Sequence, residues 1–173
     1  MANVDNPHGL RPLMRTLDGG LPLIEEYNKL ATFGTAIFRN DGVARVASGD
    51  LETGVSITPG TTFYSGVALN YGALSTLTKH QVVTSPGAIY EAQADGSLLV
   101  ADMGLNANLI MGAGSTTTQI SGHEINSATE NTTATLDVHM LQKLNVPDNE
   151  AGAYMRIECV FNNHRLMTQA AGV

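Results

Sequence analysis

Five turn signals, Asn40-Asp41-Gly42, Pro59-Gly60, Pro86-Gly87, Asp95-Gly96 and Pro147-Asp148-Asn149, constrain this chain more than any other feature in it. Each has a physical reason to reverse the backbone. Proline presets φ and lacks a donor, glycine and asparagine tolerate positive φ, and aspartate hydrogen-bonds its own backbone. Between them lie short runs rich in Val, Ile, Thr, Phe and Tyr, with the alternation of strands and no stripe at helical spacing. Candidate strands lie in TTFYSGVALNY, HQVVTS, AIYEAQA, LLVADMGL, NLIMGA, TTQISGHEI, TTATLDVHMLQKL and AYMRIECVFNN. TFGTAIFRNDGVARVASGD reads as two further strands joined by a tight hairpin, with Asn40, Asp41 and Gly42 as its exposed tip. Only GVALNYGALSTLTKH and MLQKL leave room for a short helix. Strands about 8 to 15 residues apart predict an all-β fold, a β-sandwich or jelly-roll-like β-barrel.

A chain of 173 residues suits a single domain, whose core buries about two-thirds of the surface exposed on unfolding. Residues 1–26 stand apart from the remainder. They hold Pro7, Pro12 and Pro22, half of the prolines, together with Gly9, Gly19 and Gly20, and show neither the strand nor the helix period. Proline forces the residue before it into extended conformations, so 1–26 is expected to be an extended N-terminal arm ahead of one β-rich domain over 27–173. Val4, Leu10, Leu13, Met14, Leu17, Leu21, Leu23 and Ile24 are too apolar for a purely solvated tail. The arm is expected to order on a neighbouring surface, the alternative being a strand-like segment packed on its own domain. Leu10, Pro12, Leu13 and Met14 are the expected partner contacts, with the Asn40-Asp41-Gly42 tip beside them.

Charged residues make up 14%, against roughly 25% in ordinary soluble proteins. Thr, Ser, Asn and Gly must therefore cover the surface, as is common where much of it touches other protein. Net charge is −7, and Lys79 is the only Lys or Arg between Arg45 and Lys143. No basic track is available to displace counterions along a nucleic-acid backbone. No apolar run approaches the roughly 20 residues that span a bilayer, and the first 20 residues carry charges where a secretion signal needs an apolar stretch. The single Cys159 makes no internal disulfide and suits a reducing compartment such as the cytoplasm.

Candidate chemistry is sparse. LIMGAGSTTTQISGHE, residues 109–124, suggests a phosphate loop, yet Gly112-Ala113-Gly114-Ser115 is followed by no lysine and by β-branched residues instead of a helix. It reads as a structural turn. His8, His80, His123, His139 and His164 include no pair at the spacing of a helical zinc site. Cys159 shares a strand face with Met155, Ile157 and Phe161, the setting of a buried thiol and not of a nucleophile. No G-x-S-x-G elbow is present, and although Glu91, Asp95 and Asp102 could supply paired carboxylates, their spacing does not separate a catalytic pair from a solvated edge. The expectation is a protein without catalytic residues, metal ligands or cofactor.

From SPGAIYEAQADGSLLVADMGLNANLIMGAGSTTTQISGHEINS to DNEAGAYMRIECVFNNHRL the chain resembles the structural cement, or head decoration, proteins of tailed bacteriophages. The matching pieces are Asn6 to Pro12, Ser48 to Leu51, Ile89 to Gln93, Ala101 to Leu109, Gly112 to Gly122, Asn131 to Leu144 and Arg156 to His164. The resemblance implies a β-rich virion protein made in the host cytoplasm and carried on the outer face of the capsid. It also implies binding to the major capsid protein and to itself, as a homo-dimer or homo-trimer, without contacting nucleic acid or membrane. Two other expectations stand beside it. One is another virion part, a tail-tube or head-completion protein; the other is a carbohydrate-binding β-sandwich using Tyr64, Tyr71 and Tyr90.

Overall fold

The β-branched runs pair into antiparallel sheets. A computed structural model describes residues 3–29, 34–53, 57–73, 78–167, 169 and 171–172. Among them the strands are β1 (Arg11–Thr16), β2 (Ile24–Lys29), β3 (Gly42–Arg45), β4 (Leu51–Thr53), β5 (Gly66–Ala68), β6 (Thr78–Val83) and β7 (Ala88–Gln93). They continue as β8 (Ser97–Leu98), β9 (Asn106–Ala107), β10 (Leu109–Ile110), β11 (Glu124–Ile125), β12 (Val138–Lys143), β13 (Gly152–Ala153) and β14 (Arg156–Phe161). One five-stranded sheet runs β1-β7-β14-β12-β9 and the other β2-β6-β5-β3-β4, flanked by the two-stranded ribbons β10-β11 and β8-β13.

The two large sheets share one core, and the fold is the all-β sandwich that the turn pattern predicts. Tyr90, Ala92, Met140, Ile157, Cys159 and Phe161 of the first sheet pack with Ala44, Val67 and Val83 of the second. With no tryptophan in the chain, a small aromatic group fills the centre: Tyr64 stacks on Phe161 at 4.6 Å between centroids, and Tyr90 meets the same ring edge-on at 5.3 Å. Neighbours of the core residues, Val43, Ala68 and Val82, point the other way and form a second cluster with Ile37, Leu51 and Tyr27. The second sheet is thus apolar on both faces, which is why GVA and VV read as unbroken apolar runs.

Two segments, Arg11–Lys29 and Thr78–Gln93, run side by side through both sheets. β1 pairs with β7 in the first sheet and β2 with β6 in the second. Where the ribbon crosses between them, Leu17 N–H donates to Gly87 C=O (2.9 Å), Leu23 N–H to Ser85 Oγ (2.6 Å) and Thr84 N–H to Leu23 C=O (2.9 Å).

Three expectations need correction. Residues 11–16 are not a free arm but the edge strand β1, because the apolar residues of the segment find their partner surface on the chain's own sheet. Asn40-Asp41-Gly42 does not close a tight hairpin. Ile37 bridges to Gly72 while β3 pairs with β4 and β5, so the chain turns at Asn40 (φ 73°) and changes partners. The hairpin lies one strand later, across the Ser48-Gly49-Asp50 turn, where Val46 N–H donates to Asp50 C=O (3.0 Å). LLVADMGL contributes only Leu98, the end of β8, and a 3-10 turn at Val100–Asp102, closed by Asp102 accepting from Leu99 N–H (2.7 Å). MLQKL belongs to strand β12 and its end; of the other possible helix, residues 74–77 lie outside the described residues.

Candidate functional site

Asn40 explains the path of the amino-terminal segment. Its side-chain amide donates to His8 C=O (2.9 Å) and its own carbonyl accepts Leu10 N–H (2.9 Å), so the turn expected at an exposed tip instead holds the chain that leads into β1. Leu10 then drops into the sandwich core at 1% exposure. Gly9 sits at φ 72°, and a Cβ there would strike Asn40 O and the Ser121 side chain, so this approach requires glycine. Farther out, the Gln93 amide accepts from Asn6 N–H and donates to Val4 C=O, both at 2.8 Å. Asn3 exchanges hydrogen bonds with the Glu150 backbone (2.8 and 2.9 Å).

Asp41 and His123 are buried beneath this turn. Gly42 N–H donates to His123 Nδ1 (3.2 Å), which leaves the proton on Nε2, facing Asp41 Oδ1 at 3.4 Å. Burial pushes Asp41 up and His123 down, each toward its neutral form. The glycine-rich stretch is joined to the chain just ahead of the turn, where Arg39 N–H donates to Gln119 C=O (3.1 Å) and Ser121 N–H to Arg39 C=O (2.9 Å). Gly112 and Gly122 cross so closely that a Cβ on either would strike the backbone of the other strand, and Ser115 N–H closes the loop on Ile120 C=O (2.9 Å). Those glycines serve close packing, as the missing lysine and helix indicate.

On the outer face of the first sheet, register lines up Arg11, Glu91, Glu158 and Gln142 across four strands. Two carboxylates directly opposite each other repel unless cations intervene. Glu91, 1% exposed, is met by Arg11, by His8 Nε2 (3.4 Å) and by Arg156 (3.7 Å). Arg15 and the Gln142 amide (2.9 Å) take Glu158. Burial alone raises the Glu91 carboxyl, but the nearby His8 imidazole and the Arg11 guanidinium outweigh it and hold the carboxyl below its ordinary value. The row fastens β1 to the sheet. Asp95, expected beside Glu91, instead accepts from Ser127 N–H and Oγ (both 2.8 Å), and Asp102 closes its own turn. These three carboxylates do not converge, and no group of three or more His, Cys, Asp or Glu among the described residues could hold a metal.

Of the expected partner contacts, the structure buries Leu10, Asn40, Asp41 and Gly42 against one another and leaves Pro12 and Leu13 half-buried on the edge strand. The four buried residues are not an exposed tip: they dock the chain on itself. Only Met14 is exposed, at a positive φ of 56°. The exposed apolar surface lies farther along: Leu17 (55%), Leu21 (83%), Leu23 (58%) and Ile24 occupy the ribbon's crossing between β1 and β2. Their signal was present in the excess apolar content of residues 1–26. Cys159 is fully buried among the core residues and its thiol is pushed up to about 12, chiefly by burial, so it is inert. Tyr64 and Tyr90 are core residues and cannot stack on a sugar; of the three expected tyrosines only Tyr71 reaches the surface. No helix among the described residues is long and apolar enough to cross a membrane.

Compared with family models, curated proteins and solved structures, the chain matches none.

Proposed function

We propose that this chain is a non-catalytic virion protein that binds the outer surface of a phage capsid, bridging major capsid protein subunits as a dimer or trimer. The observation that carries the reading is the exposed apolar crossing Leu17–Ile24, held on the sandwich between β1 and β2. Contiguous exposed apolar side chains mark surfaces that meet other protein. A charge-poor, Thr- and Asn-rich exterior supports the same use. A small β domain set across a seam between shell subunits turns separate weak contacts into one multivalent attachment, which resists outward pressure better than either contact alone.

Co-sedimentation of the purified protein with expanded capsids tests the reading. Wild type is expected to pellet with the shells, and Leu21→Ser with Leu23→Ser to lose at least about tenfold in affinity, as removal of central apolar anchors does. A wild type that stays in the supernatant, or a double variant that binds unchanged, ends the proposal. Rings or tubes formed by the protein alone in negative stain would point to a tail-tube or head-completion part instead.

A further inference from the structure

The segment ahead of β1 walls one side of a cleft of about 660 Å³, lined on its other sides by Arg39 and Ile120 and by Asp148 and Tyr154. That volume falls within the roughly 300–1,000 Å³ of small-ligand sites, but such sites are mostly lined by apolar side chains. Here Val4 and Ile120 are the only aliphatic ones among the described residues. Three of the chain's six arginines, Arg11, Arg39 and Arg156, line it together with His8, in a protein whose net charge is −7.

Their charge is not used up inside the protein. Glu91 is a single buried carboxylate, and both Arg11 and Arg156 (3.7 Å) answer it, with His8 Nε2 at 3.4 Å. Two guanidinium groups on one carboxylate leave a positive charge over. Arg39 adds another: its exposed side chain has no ion pair or hydrogen bond with any described residue. Asp5 and Asp148 share the cleft, but both are exposed and neither pairs with an arginine among the described residues. Each guanidinium carries a planar fork of N–H donors. Arg11 spends one on Glu91 and Arg156 one on Pro147 C=O (3.5 Å), and the rest are spare. Spare forks match the paired oxygens of a carboxylate or a phosphate.

The cleft is also held in shape before anything enters it. The Gln93 amide accepts Asn6 N–H (2.8 Å) and donates to Val4 C=O (2.8 Å) and Tyr154 C=O (3.0 Å), joining two of the walls. Asn40 (φ 73°), Asp148 (φ 60°) and Tyr154 (φ 56°) all line it, three of the five non-glycine residues at positive φ among the described residues. For a side chain as bulky as tyrosine this backbone is unfavourable, and such conformations gather where ligands are held.

We infer that this cleft binds an oxyanion, the carboxylate or phosphate group of a small polar ligand. Arg39 supplies the free charge, and the spare N–H groups of Arg11 and Arg156 supply further donors. Glu91 holds those two guanidinium groups in place. The apolar crossing Leu17–Ile24 does not line the cleft, so the inference is independent of capsid binding.

Amide chemical-shift titration of the full chain with inorganic phosphate, and separately with acetate, at constant ionic strength tests the site. Saturable shifts are expected at Asn40, Gln93 and Tyr154. Tighter binding of phosphate supports a phosphate-bearing ligand, tighter binding of acetate a carboxylate-bearing one. Arg39→Gln, at a side chain without a partner among the described residues, should keep the fold and weaken binding about tenfold or more. Arg165→Gln, at an exposed arginine outside the cleft, should change nothing. No saturable shift with either anion, or unchanged affinity in Arg39→Gln, overturns the inference. An equal loss in Arg165→Gln does so too, because it would show an adventitious ion only.

Discussion

β1 and β2 are consecutive six-residue edge strands of one ribbon, yet β1 is fastened through side chains and β2 through its backbone. Leu10 reaches the core just ahead of β1, Arg11 and Arg15 reach two glutamates, and Pro12 occupies a position facing the open side, where its missing N–H leaves nothing for another strand to grip. β2 buries Lys29 and half-buries Tyr27, its other side chains are exposed, all six of its residues pair with β6, and its far side comes close to β4. Closing an edge and holding a strand are separate problems. This chain closes the edge at β1 with a proline and a bulge, and at β2 by bringing the far end of the same sheet, β4, alongside.

The contrast can be broken most severely at Leu10. Leu10→Ala is expected to cost about 2–5 kcal/mol, the range for a buried leucine, and to release the segment that leads into β1, read as a lower urea midpoint. Next come two neighbouring exposed glutamates of β2. Leu69 N–H donates to Gln81 C=O and Thr84 N–H to Leu23 C=O, so Val82 faces β2. The amide of its partner Glu25 therefore bonds to β6, while that of Glu26 points away from β6. Glu25→Pro removes a ladder bond and should cost about 1–3 kcal/mol, whereas Glu26→Pro should stay within about 1 kcal/mol. Equal losses would mean that the assigned directions are wrong. Glu91 supplies a pH test of β1. Its folded value lies below the unfolded one, so its stabilisation is present above the ordinary carboxylate range and lost as pH falls through the folded value. Glu91→Gln should flatten that acid-side loss in urea midpoints measured from pH 6 to pH 3. Smallest in stability is Pro12→Thr, expected within about 0.5 kcal/mol but restoring an outward donor. Light scattering should detect more self-association if the proline guards the edge.

Strand alternation made the sandwich legible, and RIECVF shows why: its inward residues Ile157, Cys159 and Phe161 line the core while Arg156 and Glu158 meet the charged row. The arm was misread because Leu10 and Met14 look equally apolar in sequence. Only the long-range pairing of Arg11 with Glu91, and the clamp by Asn40, separates a buried leucine from an exposed methionine. Asn40-Asp41-Gly42 failed as a hairpin for a similar reason. Local turn chemistry says that the chain reverses, not which strands it then joins. Residue type could have flagged the row on the first sheet, since YEAQ and RIEC both place a glutamate on the outer face and such a pair calls for arginines.

The ribbon also sets an order of events. Arg11 and Arg15 pair with Glu91 and Glu158, and Asn3 with Glu150. On the ribosome, residues made early must wait for partners made much later, and long loops must close before either sheet is complete. Until residues 150–158 emerge, the amino-terminal segment, with six of its eight bulky apolar residues still uncovered in the finished fold, is the part of the nascent chain most open to chaperones and to premature contact with other copies.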